Sequence, residues 1–205
     1  MLHPNIQLQF INESVGFGLI ASQLIPRGTV TWVHDKFDVV ITGQEMEHIE
    51  EIYKRTIIKY AYRNKHGDFI FSWDNGRFIN HSFDSNTIST AYNFDIAIRD
   101  IAAGEEITCD YGCFNLPGIV NLLPENSAQR TAITPHDIIL YHQIFDKKAS
   151  QGLAYFDKVE QALKPIIDHE VYQKCVDIAQ NKAQIDSILT CYFEEKNEVP
   201  IYRYH

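Results

Sequence analysis

Hydrophobic and polar positions alternate in short runs over the first 112 residues, which predicts a succession of strands. Residues 6–11 read IQLQFI, the period of two expected of a half-buried strand. The glycine pair at 16–18 is expected to break that strand. Further runs rich in β-branched and aromatic residues, bounded by turns, predict strands at 19–21, 29–33, 39–41, 68–73, 87–98 and 106–111.

One helix is predicted inside this strand-rich part. Thr42 is a suitable N-cap, and Glu45, three residues later, completes a capping box. Apolar residues then recur at helical spacing, and they are Met46, Ile49, Ile52 and Tyr53. The pattern predicts a helical insert over residues 43–63.

The composition changes after Gly112. Proline, glycine, asparagine and serine are frequent over 115–134, which predicts a linker or an irregular loop. Thr134 and Pro135 are typical of a helix start, and we predict a helical C-terminal region over 135–205. Its further amphipathic stretches are 153–167, which Pro165 should kink or end, and 171–193. The first helix has an apolar stripe made of Ile138, Ile139, Tyr141, His142 and Phe145.

The net charge of the chain limits the classes of partner that we expect it to bind. Eighteen basic and 27 acidic residues give a net charge of −9, of which −6 falls on residues 1–114. This sign disfavours nucleic acid, whose binding requires basic side chains on phosphates. It suits a basic protein partner, although plain solubility is the stronger explanation. No apolar run reaches the ~18 residues of a membrane span, so we expect no membrane association.

The four cysteines, at 109, 113, 175 and 191, are widely spread. With no secretory signal at the start, they are expected to be free thiols in a reducing compartment. Cys109 and Cys113 lack a second Cys or His pair, so we expect no metal site.

Three motifs follow one another within about a hundred residues. They are GFG at 16–18, RFINHSFDSN at 77–86 and AIRDIAAGEEITCDYG at 97–112. In this order and spacing they resemble the SET domain of protein-lysine methyltransferases. The resemblance covers roughly residues 5–114 and leaves the rest of the chain unassigned.

The resemblance implies a mainly β fold, the SET-type β-clip of short sheets with a pseudoknot, plus the C-terminal α-helical segment. Residues 1–114 would be the catalytic domain, and the pseudoknot would bring Asn80 and His81 against Asp110 and Tyr111. The implied activity is methyl transfer from S-adenosyl-L-methionine to a lysine side chain of a protein.

The resemblance also implies roles for individual residues. Tyr111 matches the catalytic tyrosine, whose hydroxyl orients the amine; the alternative is a tyrosine that anchors the end of a strand. Arg77 would meet the cofactor carboxylate or form a structural ion pair, and both readings stay open. Ser82 and Asn86 are expected to hold a tight turn. The implied cofactor-binding residues are Gly16, Phe17, Gly18, Arg77, Asn80 and His81.

A channel for the lysine side chain requires aromatic walls, which attract a methylated ammonium by cation–π contact. Tyr60 and Tyr62 are candidates, with core packing as an equal alternative, while Tyr92 and Phe94 are weaker candidates. Phe83 stands where many relatives have Cys, and no Cys-rich segment follows, so the resemblance implies no zinc. The tail must then supply a wall of the cofactor pocket and of the channel, with Phe114 as its nearest aromatic.

Two other functions stay open beside the methyltransferase. One is a catalytically inactive SET-like module that captures a protein partner through the helices of 135–193. The other is a small-molecule hydrolase that uses His81 and Cys109, although the chain has no nucleophile-elbow motif. The helices are also expected to form a homodimer or to recognise a partner. The expected location is cytoplasmic or nuclear, with secretion into a host left open.

Overall fold

The structure, a computed structural model, describes residues 1–121 and 130–194 and the backbone of residues 201–202. Most of its elements are short strands, and the longer helices follow in the C-terminal part. The α-helices are α1 (Gly43–His48), α2 (Glu51–Tyr60), α3 (Asp137–Leu153) and α4 (His169–Ala179). The strands are β1 (Ile6–Asn12), β2 (Gly16–Ala21), β3 (Val30–Val33), β4 (Val39–Ile41), β5 (Ala61–Arg63), β6 (Phe69–Phe71), β7 (Asn80–His81), β8 (Thr87–Ser89), β9 (Phe94–Ala97), β10 (Glu106–Cys109), β11 (Ile119–Asn121), β12 (Ala132–Ile133) and β13 (Ile201–Tyr202).

The main sheet has the order β1-β2-β10-β8-β9-β3, and β7 also pairs with β10. Strand β10 is antiparallel to β2 but parallel to β7 and β8. The predicted mainly β fold with a helical C-terminal segment is confirmed. Cys109 lies opposite His81 in the β7–β10 pair, so the predicted approach of the two motifs is also observed. Threading of the tail through a loop stays a prediction.

Two strand predictions are wrong. The glycine pair does not break the first strand: it begins β2, where Gly16 has φ +82° and lies opposite Asn12 after a turn at 13–15. The segment 87–98 is not one strand but the hairpin of β8 and β9. Asn93 has φ +59° in its turn, a conformation that asparagine tolerates better than most residues.

The helical insert differs from its prediction. The capping box is confirmed, since Thr42 Oγ1 accepts from the Glu45 amide at 3.2 Å and Glu45 Oε2 accepts from the Thr42 amide at 2.8 Å. However, the chain becomes extended at Ile49 and starts a second helix at Glu51. Residues 61–63 are strand β5, which joins β4 and β6 in a small sheet.

This break changes which residues of the insert are buried. Ile52 and Tyr53, predicted to share the apolar face, are 73% and 60% exposed. Helix α2 instead buries Ile57, which packs with Met46 and Phe69 in the core of the insert. The predicted continuous apolar face therefore does not form, because the side chains of α2 do not continue the helical phase of α1.

The C-terminal part is less helical than predicted. Within 115–134, β11 pairs with β12 and with β13, while residues 122–129 lie outside the described part of the chain. His136, not Thr134, is the N-cap of α3, and only a 3₁₀ turn at Phe156–Lys158 follows α3 in the stretch 153–167. Helix α4 ends at Ala179, and a second 3₁₀ turn covers Ile188–Cys191.

A single hydrophobic cluster joins the main sheet to this tail. Phe94 and Ile96 of β9 pack in it with Phe145 and Leu153 of α3 and with Phe156. The predicted division into a domain of residues 1–114 and a separate tail stays a prediction. Of the apolar stripe predicted for α3, Ile138 and Phe145 are buried, but Ile139 is 44% exposed. Two further apolar residues of α3 are also exposed, Leu140 at 64% and Ile144 at 54%.

Two searches of the described residues complete this picture. None of the helices there is both long and apolar enough to cross a lipid bilayer. All four cysteines are free thiols, and only Cys191 is partly exposed.

Candidate functional site

Two cavities meet at Tyr111. The first, called here the wide cavity, has a volume of about 450 Å³ and is lined by Gly16 and Phe17 of the glycine motif, though not by Gly18, and by Asn80 and His81. The second, the narrow cavity, has about 70 Å³, and five of the residues that line it are aromatic. The residues that line both cavities are Lys59, Tyr60, Arg77, Ile79 and Tyr111.

Tyr111 is held from three sides at this junction. Asp110 caps the short 3₁₀ turn Tyr111–Cys113 by accepting from the Gly112 amide at 2.9 Å. The Tyr111 amide donates to His81 Nδ1 at 3.1 Å, and the hydroxyl donates to the carbonyl of Ile79. Since its own proton is used in that bond, the phenol oxygen keeps lone pairs for a group in the cavities.

His81 is a neutral imidazole in this environment. Burial, with the positive charges of Arg130 and Lys148, lowers the pKa of His81 to about 3. Because Nδ1 accepts a hydrogen bond, we place the proton of the ring on Nε2. The ring packs edge-on against Phe83, with centroids 4.4 Å apart, and so serves as a fixed wall of the wide cavity.

Glycine is required at positions 16 and 18 for different physical reasons. A Cβ on Gly18 would lie 2.5 Å from Glu106 Oε1 and 2.7 Å from Asn80 Nδ2, so these side chains occupy the space that the missing Cβ leaves. Asn80 Nδ2 also donates to Glu106 Oε1 at 2.7 Å and to the Phe17 carbonyl at 3.1 Å. Gly16 has open space around it and is required for its positive φ instead.

Arg77 takes a third arrangement, beside the two readings that the sequence left open. Its Nη1 donates to the carbonyls of Ser72, Trp73 and Asp74, and no ion pair links it to another of the described residues. The guanidinium also stacks over Phe78 at 4.8 Å. It lines both cavities, so it is positioned to meet an anionic group there.

The predicted channel aromatics line one cavity. Tyr60, Tyr62 and Phe114 all border the narrow cavity. Tyr62 lies 5.6 Å from Phe114 and 6.1 Å from Trp32 between ring centroids, and Phe114 lies 5.7 Å from Tyr111. Burial and the charges of Asp95 and Asp38 raise the pKa of Tyr62, which keeps its phenol neutral.

The two weaker candidates lie elsewhere. Tyr92 and Phe94 are 7% and 1% exposed and belong to the core cluster that joins sheet and tail. Neither lines the narrow cavity.

Several residues of the narrow cavity have no counterpart in the sequence prediction, and three of them bear polar groups on the main sheet. They are Trp32, Ser89 and Asp95, from the adjacent strands β3, β8 and β9. One signal for them exists in the sequence: Asp95 interrupts the otherwise apolar run FDIAI at 94–98. An acidic residue inside such a run is unusual for a buried strand.

The segment just after the 3₁₀ turn supplies walls that the sequence assigned to the tail. Phe114 and Leu116 line the narrow cavity, and Val120 lines the wide cavity. The tail itself contributes to a third cavity of about 330 Å³, next to Tyr62 and Phe114, through the 3₁₀ turn Ile188–Cys191.

Arg130 ties the tail to the site. It bonds Asp110 Oδ2 at 2.7 Å and also pairs with Asp137, the first residue of α3. Its guanidinium lies 4.6 Å from the Phe83 ring and 4.4 Å from the Tyr141 ring. The network links the cap that precedes Tyr111 to the start of α3.

Neither the hydrolase hypothesis nor a metal site finds support among the described residues. Cys109 is fully buried, and burial raises the pKa of its thiol, which disfavours the thiolate that the hydrolase hypothesis requires. No three His, Cys, Asp or Glu side chains lie close enough to hold a metal ion within the described part of the chain.

Comparisons with known proteins relate part of the chain to one family. Residues 16–112 match the family model of the SET domain. No curated protein matches the chain. Among 219 matching chains of solved structures is a candidate histone methyltransferase from Plasmodium falciparum. It is 18% identical, with a TM-score of 0.41, over 54% of this chain and 95% of its own.

Proposed function

We propose that this protein transfers a methyl group from S-adenosyl-L-methionine to a lysine side chain of a protein, because residues 16–112 match the family model of the SET domain. One observation carries the proposal: Tyr111 lies where the wide cavity and the narrow cavity meet. A methyl transfer needs two reactants that approach along one line from separate sites, and this geometry offers two such sites.

The wide cavity fits the cofactor. Its volume of about 450 Å³ falls within the range of small-molecule pockets. Arg77 and Lys59 line it and would hold a carboxylate, while the rings of Tyr60 and Phe17 border it and suit a sulfonium cation. The strand end of β7, with Asn80 and His81, adds polar atoms along the same wall.

The narrow cavity fits an alkyl chain that ends in an amine. When bound, the cofactor supplies a methyl group on a sulfonium, and an N–C bond forms as the S–C bond breaks, with the amine proton released to water. The aromatic walls exclude bulk water, which favours the neutral amine over the ammonium. The phenol oxygen of Tyr111 accepts from an amine N–H, and so it aims the nitrogen lone pair at the junction.

We further propose a basic substrate protein. Residues 1–114 carry a net charge of −6, which attracts a positively charged segment and speeds its encounter. The protein would act in the cytoplasm or the nucleus, where such substrates occur, without binding nucleic acid or membrane.

A second candidate function is a non-catalytic module that binds a protein. The specific observation in its favour is the exposed apolar face of α3, formed by Ile139, Leu140 and Ile144. This face would pair two copies of the chain or capture another protein. The module hypothesis predicts that Tyr111 and His81 can be replaced without any effect on partner binding.

The test combines cofactor binding with methyl transfer. Calorimetry of the full chain with S-adenosyl-L-methionine should show one binding site. Labelled cofactor should then mark at least one member of a panel of basic proteins, and Tyr111→Phe should lose this activity while it keeps cofactor binding. A wild-type protein that binds no cofactor would overturn the proposal.

A further inference from the structure

The narrow cavity contains a buried carboxylate that the reaction as described above does not use. Asp95, in β9, is 4% exposed and lines this cavity. Its register partners are Ser89 in β8 and Trp32 in β3, so the three side chains lie side by side on one face of the sheet. Ser89 Oγ donates to Asp95 Oδ1 at 2.7 Å and thereby fixes the carboxylate.

No cationic side chain pairs with Asp95 within residues 1–121 and 130–194. Asp110, which is buried to a similar degree, has Arg130 as its partner. Burial raises the pKa of Asp95 to about 6, although the Ser89 hydroxyl and the charge of the N-terminal ammonium act in the opposite direction. A buried carboxylate without an ion pair destabilises a fold, and such groups concentrate at functional sites.

A second buried polar group belongs to a residue that lines the same cavity. The indole N–H of Trp32, a residue 8% exposed, has no hydrogen-bond partner among the described residues. Buried polar groups in proteins are nearly always paired, so both groups indicate a polar occupant. A cavity of about 70 Å³ holds roughly two water molecules, or the end of one polar side chain.

We propose that Asp95 binds the ammonium group of the substrate lysine as this side chain enters the narrow cavity, which makes Asp95 a specificity-determining residue for a cationic side chain. The proposal rests on the proposed function, since it assumes that this cavity receives the substrate. Ser89 holds the carboxylate in place, and Tyr62 and Phe114 pack along the alkyl chain. An uncharged chain of equal length gains only the packing.

The same contact has a consequence for the rate. A carboxylate beside the amine favours the protonated form, whereas methyl transfer requires the neutral form. Replacing Asp95 with Asn should therefore raise KM for the lysine substrate and shift the pH dependence of kcat toward lower pH. A purely structural role would not raise KM and also shift the pH profile of kcat toward lower pH.

The test measures how two small probes bind to the full chain. Nα-acetyl-lysine methylamide and Nα-acetyl-norleucine methylamide differ only by the ammonium group, and ligand-detected NMR gives their affinities with and without S-adenosylhomocysteine. Asp95→Asn keeps the shape of the side chain and its bond to Ser89 but removes the charge. Asp157→Asn is the matched control, because Asp157 is exposed and lies outside the three cavities.

The wild type and Asp157→Asn should bind the lysine probe about 10-fold to 100-fold more tightly than the norleucine probe. Asp95→Asn should bind both probes alike, with unchanged affinity for norleucine and a melting temperature no lower than that of the wild type. A preference for lysine that survives in Asp95→Asn, or its absence from the wild type, would overturn the proposal. Failure of the proposed function would be seen in a separate measurement: the wild type would bind no S-adenosylmethionine, whichever probe it prefers.

Discussion

The hydroxyl group of Tyr111 donates a hydrogen bond to the backbone carbonyl of Ile79. Ile79 directly precedes strand β7, so this bond joins the end of the motif at 97–112 to the start of the motif at 77–86, beside the parallel pair of β7 and β10. The bond fixes the ring at the junction of the two cavities and leaves the oxygen as an acceptor toward an incoming amine.

Replacing Tyr111 with Phe should lower the rate of methyl transfer about 100-fold, because the amine loses the group that orients it. The free energy of unfolding should fall by about 1 kcal/mol, the typical contribution of one hydrogen bond. Calorimetry should show that the affinity for the cofactor is unchanged. Tyr53→Phe, at a position 60% exposed, is the control and should be silent, and equal activity of the two variants would contradict this role.

Gly18→Ala should destabilise the protein by about 1–3 kcal/mol and weaken cofactor binding, since its Cβ would displace Glu106 and Asn80. Gly43→Ala is the matched control, because a Cβ there meets nothing within 4 Å. This second variant should be neutral or stabilising by up to about 1 kcal/mol. Thermal melting and calorimetry measure both effects, and a Gly18→Ala protein as stable as wild type would show that the contact can relax.

Arg130→Met should destabilise the protein by about 3 kcal/mol, because it leaves the buried carboxylates of Asp110 and Asp137 without their cation. Methyl transfer should fall as well, since Asp110 caps the turn that carries Tyr111. The defect in stability should shrink as the pH is lowered, because burial raises the pKa of Asp110 and this carboxylate then becomes protonated. Denaturant titrations at several pH values measure it, with the exposed Arg55→Met as a control that should stay within about 0.5 kcal/mol of wild type.

His81 should make the stability of the protein depend on pH. Its pKa is about 3 in the folded state against 6.5 for the unconstrained group, so the unfolded state takes up the proton first. The free energy of unfolding should therefore fall as the pH drops below about 6.5, by about 1 kcal/mol per pH unit for this group. His81→Asn, which keeps an acceptor for the Tyr111 amide, should lose this part of the slope. Parallel slopes for wild type and variant would contradict the burial of a neutral imidazole.

The sequence predicts the parts of this molecule whose signals are local. The capping box of Thr42 and Glu45 and the strand at 6–11 depend on neighbouring residues, and both are confirmed. The alternation of burial along that strand holds only up to Gln9, because Phe10 is 54% exposed. The approach of His81 to Tyr111 is a long-range feature. It could be anticipated only because the motifs resemble those of a known domain.

The features that the sequence did not predict depend on tertiary packing. Nothing local marks the break between α1 and α2 at Ile49, since the segment contains neither proline nor glycine. We attribute the break to tertiary packing, in which Ile57 packs with Phe69. The hairpin at Asn93 has only its asparagine as a signal. The place of Asp95 in the narrow cavity follows from the pairing of β9 with two other strands, which no reading of one segment can give.

The most direct test of the central claim is to find where the methyl group goes. The wild-type protein, labelled S-adenosyl-L-methionine and a panel of basic proteins are incubated together, and mass spectrometry of the digested products locates the label. We predict the label on the side-chain amine of lysine, with about 100-fold less of it in the reaction of Tyr111→Phe at equal time. Label on another residue type, or cofactor binding without any transfer to protein, would contradict the account.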